Sequence, residues 1–136
     1  MKKHTSEISQ LCNKVQLQLL KFSRETRSMD SAIIARAGAL QNGYLPLRCY
    51  LHLWKGTGDS VFSVTVDVHQ DEGRIVITSG ISRDGATVVA QGPSTIIATS
   101  RNSSPGPILD EWISEFEIFL AISKSEVLHG FFGIPS

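Results

Sequence analysis

The run Leu47-Arg48-Cys49-Tyr50-Leu51-His52-Leu53-Trp54 alternates two sets of side chains with a period of two, the mark of a strand that buries one face. After the connection at 55–60, Phe62-Ser63-Val64-Thr65-Val66-Asp67-Val68-His69 repeats the pattern. Joined as an antiparallel hairpin, the two runs set Leu53 opposite Phe62, Leu51 opposite Val64, Cys49 opposite Val66 and Leu47 opposite Val68. The same register sets Arg48 opposite Asp67, Tyr50 opposite Thr65, His52 opposite Ser63 and Trp54 opposite Val61. A slip of one residue would send every side chain to the other face, so the apolar pattern specifies the pairing.

The strands on either side extend this sheet. Gln70-Asp71-Glu72-Gly73 reads as a tight turn, with Gly supplying a positive φ. Residues 74–82 follow as a third strand, and pairing Val68 with Ile75 carries the apolar face on to Ile77 and Ile81. Asp84-Gly85 is a hairpin signal that leads into a fourth strand at 86–92 and sets Val88 opposite Ile81. Gly92-Pro93 interrupts that strand, because proline cannot donate to a ladder. Residues 94–99 resume extended character, as the same strand after a bulge or as a separate short one.

Helical periodicity flanks the sheet. Ile8, Leu11, Cys12, Val15, Leu19 and Phe22 recur at three- and four-residue spacing, which predicts an amphipathic helix over 6–27. Leu109, Trp112, Ile113, Phe116, Phe119 and Leu120 predict another over 107–128, opened by Pro107. Between the first helix and the sheet, Asp30 can cap a short second helix through Ile33, Ile34, Ala37 and Leu40, weakened by Gly38 and ended by Gln41-Asn42-Gly43. The class is therefore α+β, a single domain over 1–136. It has two layers, an antiparallel four- to five-stranded meander with N- and C-terminal helices packed on one face.

Composition narrows the function. The 136 residues carry 13 Lys plus Arg against 13 Asp plus Glu, a balance that lacks the basic field nucleic-acid binding needs. No stretch approaches the roughly 20 apolar residues of a membrane span. Cys12 and Cys49 fall on core-facing positions and read as buried thiols in a reducing, cytoplasmic setting, not as metal ligands or a disulfide.

Motifs for chemistry are missing. The chain has no Walker-type loop, no G-x-G-x-x-G after a strand, no H-E-x-x-H and no C-x-x-C. Gly56-Thr57-Gly58 joins two strands and opens no helix, so no helix dipole stands behind it for phosphate binding. His52 and Ser63 could form a nucleophile–base pair, but Asp67 lies about 10 Å away along the strand, too far to orient the imidazole. These absences argue against an enzyme, and no cofactor or metal is expected.

The second sheet face is the candidate site. It carries Arg48, Tyr50, His52, Trp54 and Asp67, residue types common at binding hot spots, and Val76, Thr78, Val89 and Gln91 continue it. The bland account is a solvated face on which Arg48 and Asp67 form a weak cross-strand pair. The expectation is a small non-enzymatic domain that neutralises or chaperones another protein, as an immunity protein or secretion chaperone does, with a toxin or effector as partner. The element order is loosely similar to that of small secretion chaperones, although those interrupt the sheet with a helix and are acidic. A homodimer is compatible with the sequence. The alternative is a small-molecule or nucleotide binder with a pocket between segment 28–44 and the sheet, using Arg36, Tyr44, Arg48 or Arg83. The tail Phe131-Phe132 is expected to fold back on the domain or to reach a partner.

Overall fold

A computed structural model describes residues 2–40, 47–56, 61–84, 87–98 and 105–126. The order of elements is α1 (Lys2–Met29), β1 (Ile34–Leu40), β2 (Leu47–Trp54), β3 (Phe62–Asp71), β4 (Arg74–Arg83), β5 (Thr87–Gln91), β6 (Thr95–Ala98) and α2 (Pro105–Glu126). The strands form one antiparallel six-stranded sheet in the order β1-β2-β3-β4-β5, with β6 also paired to β4. Both helices lie on the same side of it and against each other.

The β2–β3 register is the one the alternation predicts, from Leu53↔Phe62 to Leu47↔Val68. Leu51, Val64, Val66, Ile77, Trp112 and Phe116 are at most 1% exposed. The six α1 residues of the predicted apolar stripe are buried too, as are all those of α2 except Phe119, which is partly buried. Burial of such side chains contributes roughly 1.5–3 kcal/mol each, so a single core between the layers holds the fold. Polar side chains lace the helices together on the outside: Lys124 Nζ meets Glu25 Oε2 at 2.8 Å and Gln18 Nε2 donates to Glu117 Oε1 at 2.7 Å.

Three local expectations are corrected. First, residues 34–40 form an edge strand, not a helix. Asp30 does cap, but it caps a turn: its Oδ1 accepts from the Ala32 amide at 3.0 Å, and the chain then turns into the sheet. Ala35, Ala37 and Ala39 pair with Leu53, Leu51 and Cys49, so the backbone of β2 completes its ladder with residues whose own propensity is helical.

Second, the β3–β4 turn is centred one residue later than expected. Asp71 pairs with Arg74, leaving Glu72 and Gly73 as the two turn residues with φ of 45° and 76°. Val68 therefore faces Ile77, and Ile75 faces Gln70. The shift is two residues, so every side chain keeps its predicted face.

Third, Arg83 pairs with Thr87 and Ser82 with Val88, one residue out from the expected register, and an irregularity between Ile81 and Ser82 then places Ala90 opposite Ile81. Val88 and Val89 are consequently 62% and 54% exposed. An extra residue on one strand is a bulge, which shifts everything beyond it.

β5 and β6 follow one another along β4, divided at Gly92-Pro93-Ser94. The Gly92 amide donates to the Ser79 carbonyl, and the Pro93 carbonyl accepts from both the Ser79 hydroxyl (2.7 Å) and the Trp112 indole (3.0 Å). The proline break is thereby fastened to both β4 and α2. Tyr44, the centre of the 56–58 glycine-rich connection, Gly85 and the Phe131-Phe132 tail lie outside the described residues.

Candidate functional site

Strand alternation and the one-sided packing of the helices together leave the second face of the sheet uncovered among the described residues. β2 supplies Arg48, Tyr50, His52 and Trp54, and β3 supplies Ser63, Thr65, Asp67 and His69. Arg48, Asp67, Tyr50, His52 and Trp54 are all brought together on this face and are half-buried or exposed.

Arg48 and Asp67 face each other across the strands. Nε donates to Oδ1 at 2.6 Å and a terminal nitrogen reaches Oδ2 at 3.4 Å, the forked geometry a guanidinium makes with a carboxylate. The pair is solvent-exposed, so it contributes at most about 1 kcal/mol and chiefly fixes orientation.

The Tyr50 ring leans over Gly38 of β1, where a side-chain carbon would meet its hydroxyl at 2.5 Å. Here glycine is needed for close approach. The ring also stands against that of His52, with centroids 4.8 Å apart and the planes tilted by 31°.

His52 Nδ1 shares a hydrogen bond with the Ser63 hydroxyl at 2.7 Å. Burial, then the charges of Arg36 and Arg48, hold the His52 pKa below the usual histidine value. The imidazole is therefore neutral at physiological pH.

A hydrolytic reading of His52 and Ser63 finds little geometry. Asp67 is committed to Arg48 and not to the imidazole, and Ser63 is only 4% exposed, so its hydroxyl does not reach a substrate from the open face. The His52–Ser63 contact acts as a cross-strand tie.

Sequence reasoning missed Arg36 as a member of this face. It lies on β1 directly opposite His52, exposed, between Ile34 and Gly38. The signal was available in the alternation Ile34-Arg36-Gly38 against Ala35-Ala37-Ala39, but the alanines suggested a helix.

The expected pocket between residues 28–44 and the sheet has no room at 34–40, because those residues belong to the sheet. A cleft that the described residues do form lies elsewhere, between α1 and α2. It holds about 300 Å³ and is lined by Lys21, Phe22, Glu25, Glu117 and Lys124 among others. The Lys124–Glu25 ion pair spans it.

No group of three or more His, Cys, Asp or Glu that could hold a metal stands together among the described residues. No helix among them is long and apolar enough to cross a membrane. No protein-family model matches the chain, and no curated protein or solved structure is significantly similar to it.

Proposed function

We propose that this is a small non-enzymatic protein-binding domain whose working surface is the open face of the sheet. Its biological form would be that of an immunity protein or secretion chaperone, which binds a toxin or effector and neutralises or chaperones it. The observation that carries the reading is the one-sided packing of both helices, which leaves Arg48, Tyr50, His52 and Trp54 unsealed. Two aromatic rings and a guanidinium in one row are of the residue types that dominate binding energy at protein interfaces. Asp67 and Ser63, beside the row on β3, hold Arg48 and His52 in place, so a partner meets those two side chains already ordered.

The test is site-specific photo-crosslinking in the cells that make the protein. A crosslinker at position 54 should trap one defined protein, and a crosslinker at Leu17 on the exposed side of α1 should not. Against that partner, Trp54→Ala and Tyr50→Ala should each weaken binding by about 2 kcal/mol or more. If both substitutions lower the melting temperature and leave binding intact, the stripe is structural and the reading fails. Trapping at position 17 alone would move the working surface to the helices.

A further inference from the structure

The two edges of the sheet are built differently. The β5/β6 edge consists of five- and four-residue pieces, is interrupted by Pro93 and carries a register irregularity. Proline, bulges and short strands are the devices by which sheets prevent an edge from pairing with another chain. β1 has none of them. Its seven residues, Ile34-Ala35-Arg36-Ala37-Gly38-Ala39-Leu40, pair in unbroken register with β2. No other described strand lies on its outer side. The strand offers about 23 Å of backbone at ordinary strand rise. Ile34 is 45% exposed, and Arg36 and Ala37 are exposed as well.

Charge supplies the second observation. Three arginines stand on the open-face register. Arg48 is paired with Asp67 and Arg74 with Asp71, whereas Arg36 makes no ion pair among the described residues. Beside it stands His52, whose side chain carries no negative charge whether protonated or not.

From these observations we infer that β1 receives an extended, acidic segment of a partner protein, which adds as a further antiparallel or parallel strand and places a carboxylate on Arg36. Main-chain hydrogen bonds along β1 provide the affinity of such an addition, and alternate side chains provide its selectivity. The inference rests on the protein-binding reading and names the chemistry of the partner.

Two other occupants fit less well. A second copy paired antiparallel through β1 would bring another Ile34–Leu40, which holds no acidic residue, and so would offer Arg36 no carboxylate from the added strand. A nucleic acid needs several unmatched cations to release counterions, and among the described residues the strands of this face offer one arginine without an ion pair.

The experiment uses the full chain and fluorescein-labelled eight-residue peptides that alternate threonine with glutamate, glutamine or lysine. The glutamate peptide should bind at least tenfold more tightly than the other two. Arg36→Gln should erase that preference, and Arg36→Glu should transfer it to the lysine peptide. Methylating every second backbone nitrogen of the glutamate peptide, in each of the two phases, should abolish binding in one phase and spare it in the other.

Equal binding of the three peptides, no binding by any of them, indifference to Arg36→Gln, or tolerance of both methylation phases would each overturn the inference. So would tighter binding of a thymidine oligonucleotide, or a dimer in light scattering that excludes the peptide from the edge. If the crosslinked partner remains sensitive to Trp54→Ala while Arg36→Gln has no effect, the open face survives as the binding surface and only the acidic-strand inference falls.

Discussion

Glu72 occupies a backbone conformation that suits glycine or asparagine, with φ at 45° beside Gly73 at 76°. A two-residue hairpin turn of this hand matches the twist of its strands and favours Asn-Gly. Glu72→Asn is therefore expected to raise stability by about 0.5–1 kcal/mol in urea denaturation. His52 sets a pH dependence of opposite interest. Its folded pKa is depressed by burial first, then by Arg36 and Arg48, so the unfolded chain takes up the proton more readily. The stability it contributes is complete above the unfolded value near 6.5 and is lost as the pH falls from there through the folded pKa. The melting temperature should decline between about pH 7 and pH 5, and His52→Gln should flatten part of that decline. An NMR titration of the His52 ring with a midpoint above 6.5 would contradict this.

At the scale of elements, the junction of β4, the β5/β6 strand and α2 is the most constrained. A side-chain carbon at Gly92 would lie 2.8 Å from the Phe119 ring and would also crowd the Ser79 hydroxyl. Gly92→Ala is expected to destabilise by about 1–3 kcal/mol, because a packed ring must shift and the Pro93 carbonyl shifts with it. The measurement is a chemical denaturation midpoint, and an unchanged midpoint would show that α2 yields there. β1 has the opposite character. Alanine-rich and lightly covered, it draws its order from the β2 ladder, so its amides should exchange with solvent sooner than those of β2 and β3.

For the whole molecule, the two layers predict a sharp contrast between aromatic residues. Phe116 is fully buried and stacked on Trp112 with ring centroids 5.1 Å apart, so Phe116→Ala should cost about 3–5 kcal/mol. Trp54→Ala, on the open face, should cost less than about 1 kcal/mol. The thiols report on the same interlayer core. Cys12 of α1 and Cys49 of β2 are 4% and 0% exposed, and the neighbouring Cys12 thiol, then burial, push the Cys49 thiol above its ordinary pKa. Labelling by a thiol reagent should be slow in the native protein and should accelerate when the layers separate. Rapid labelling of the native protein would mean that α1 leaves the sheet easily.

Sequence alone determined what depends on local period and short turns. The alternation in 47–54 and 62–69 specified the β2–β3 register, and with it the juxtaposition of Arg48 with Asp67 and of His52 with Ser63. The three- and four-residue spacing of Ile8 to Phe22 and of Leu109 to Leu120 specified the buried faces of both helices. Three things required tertiary structure. Residues 34–40 became a strand because β2 presented an unfilled ladder, a long-range demand that outweighs the helical preference of four alanines over 32–39. The β4–β5 register starts one residue out at Arg83↔Thr87, which moves Val88 off Ile81, and the irregularity at Ile81–Ser82 leaves Val89 as the extra residue, offsets that alternation along the chain does not carry. Arg36 joined Arg48, Tyr50, His52 and Trp54 only once β1 lay beside β2, since neighbours across a sheet are set by strand pairing and are invisible to spacing along the chain.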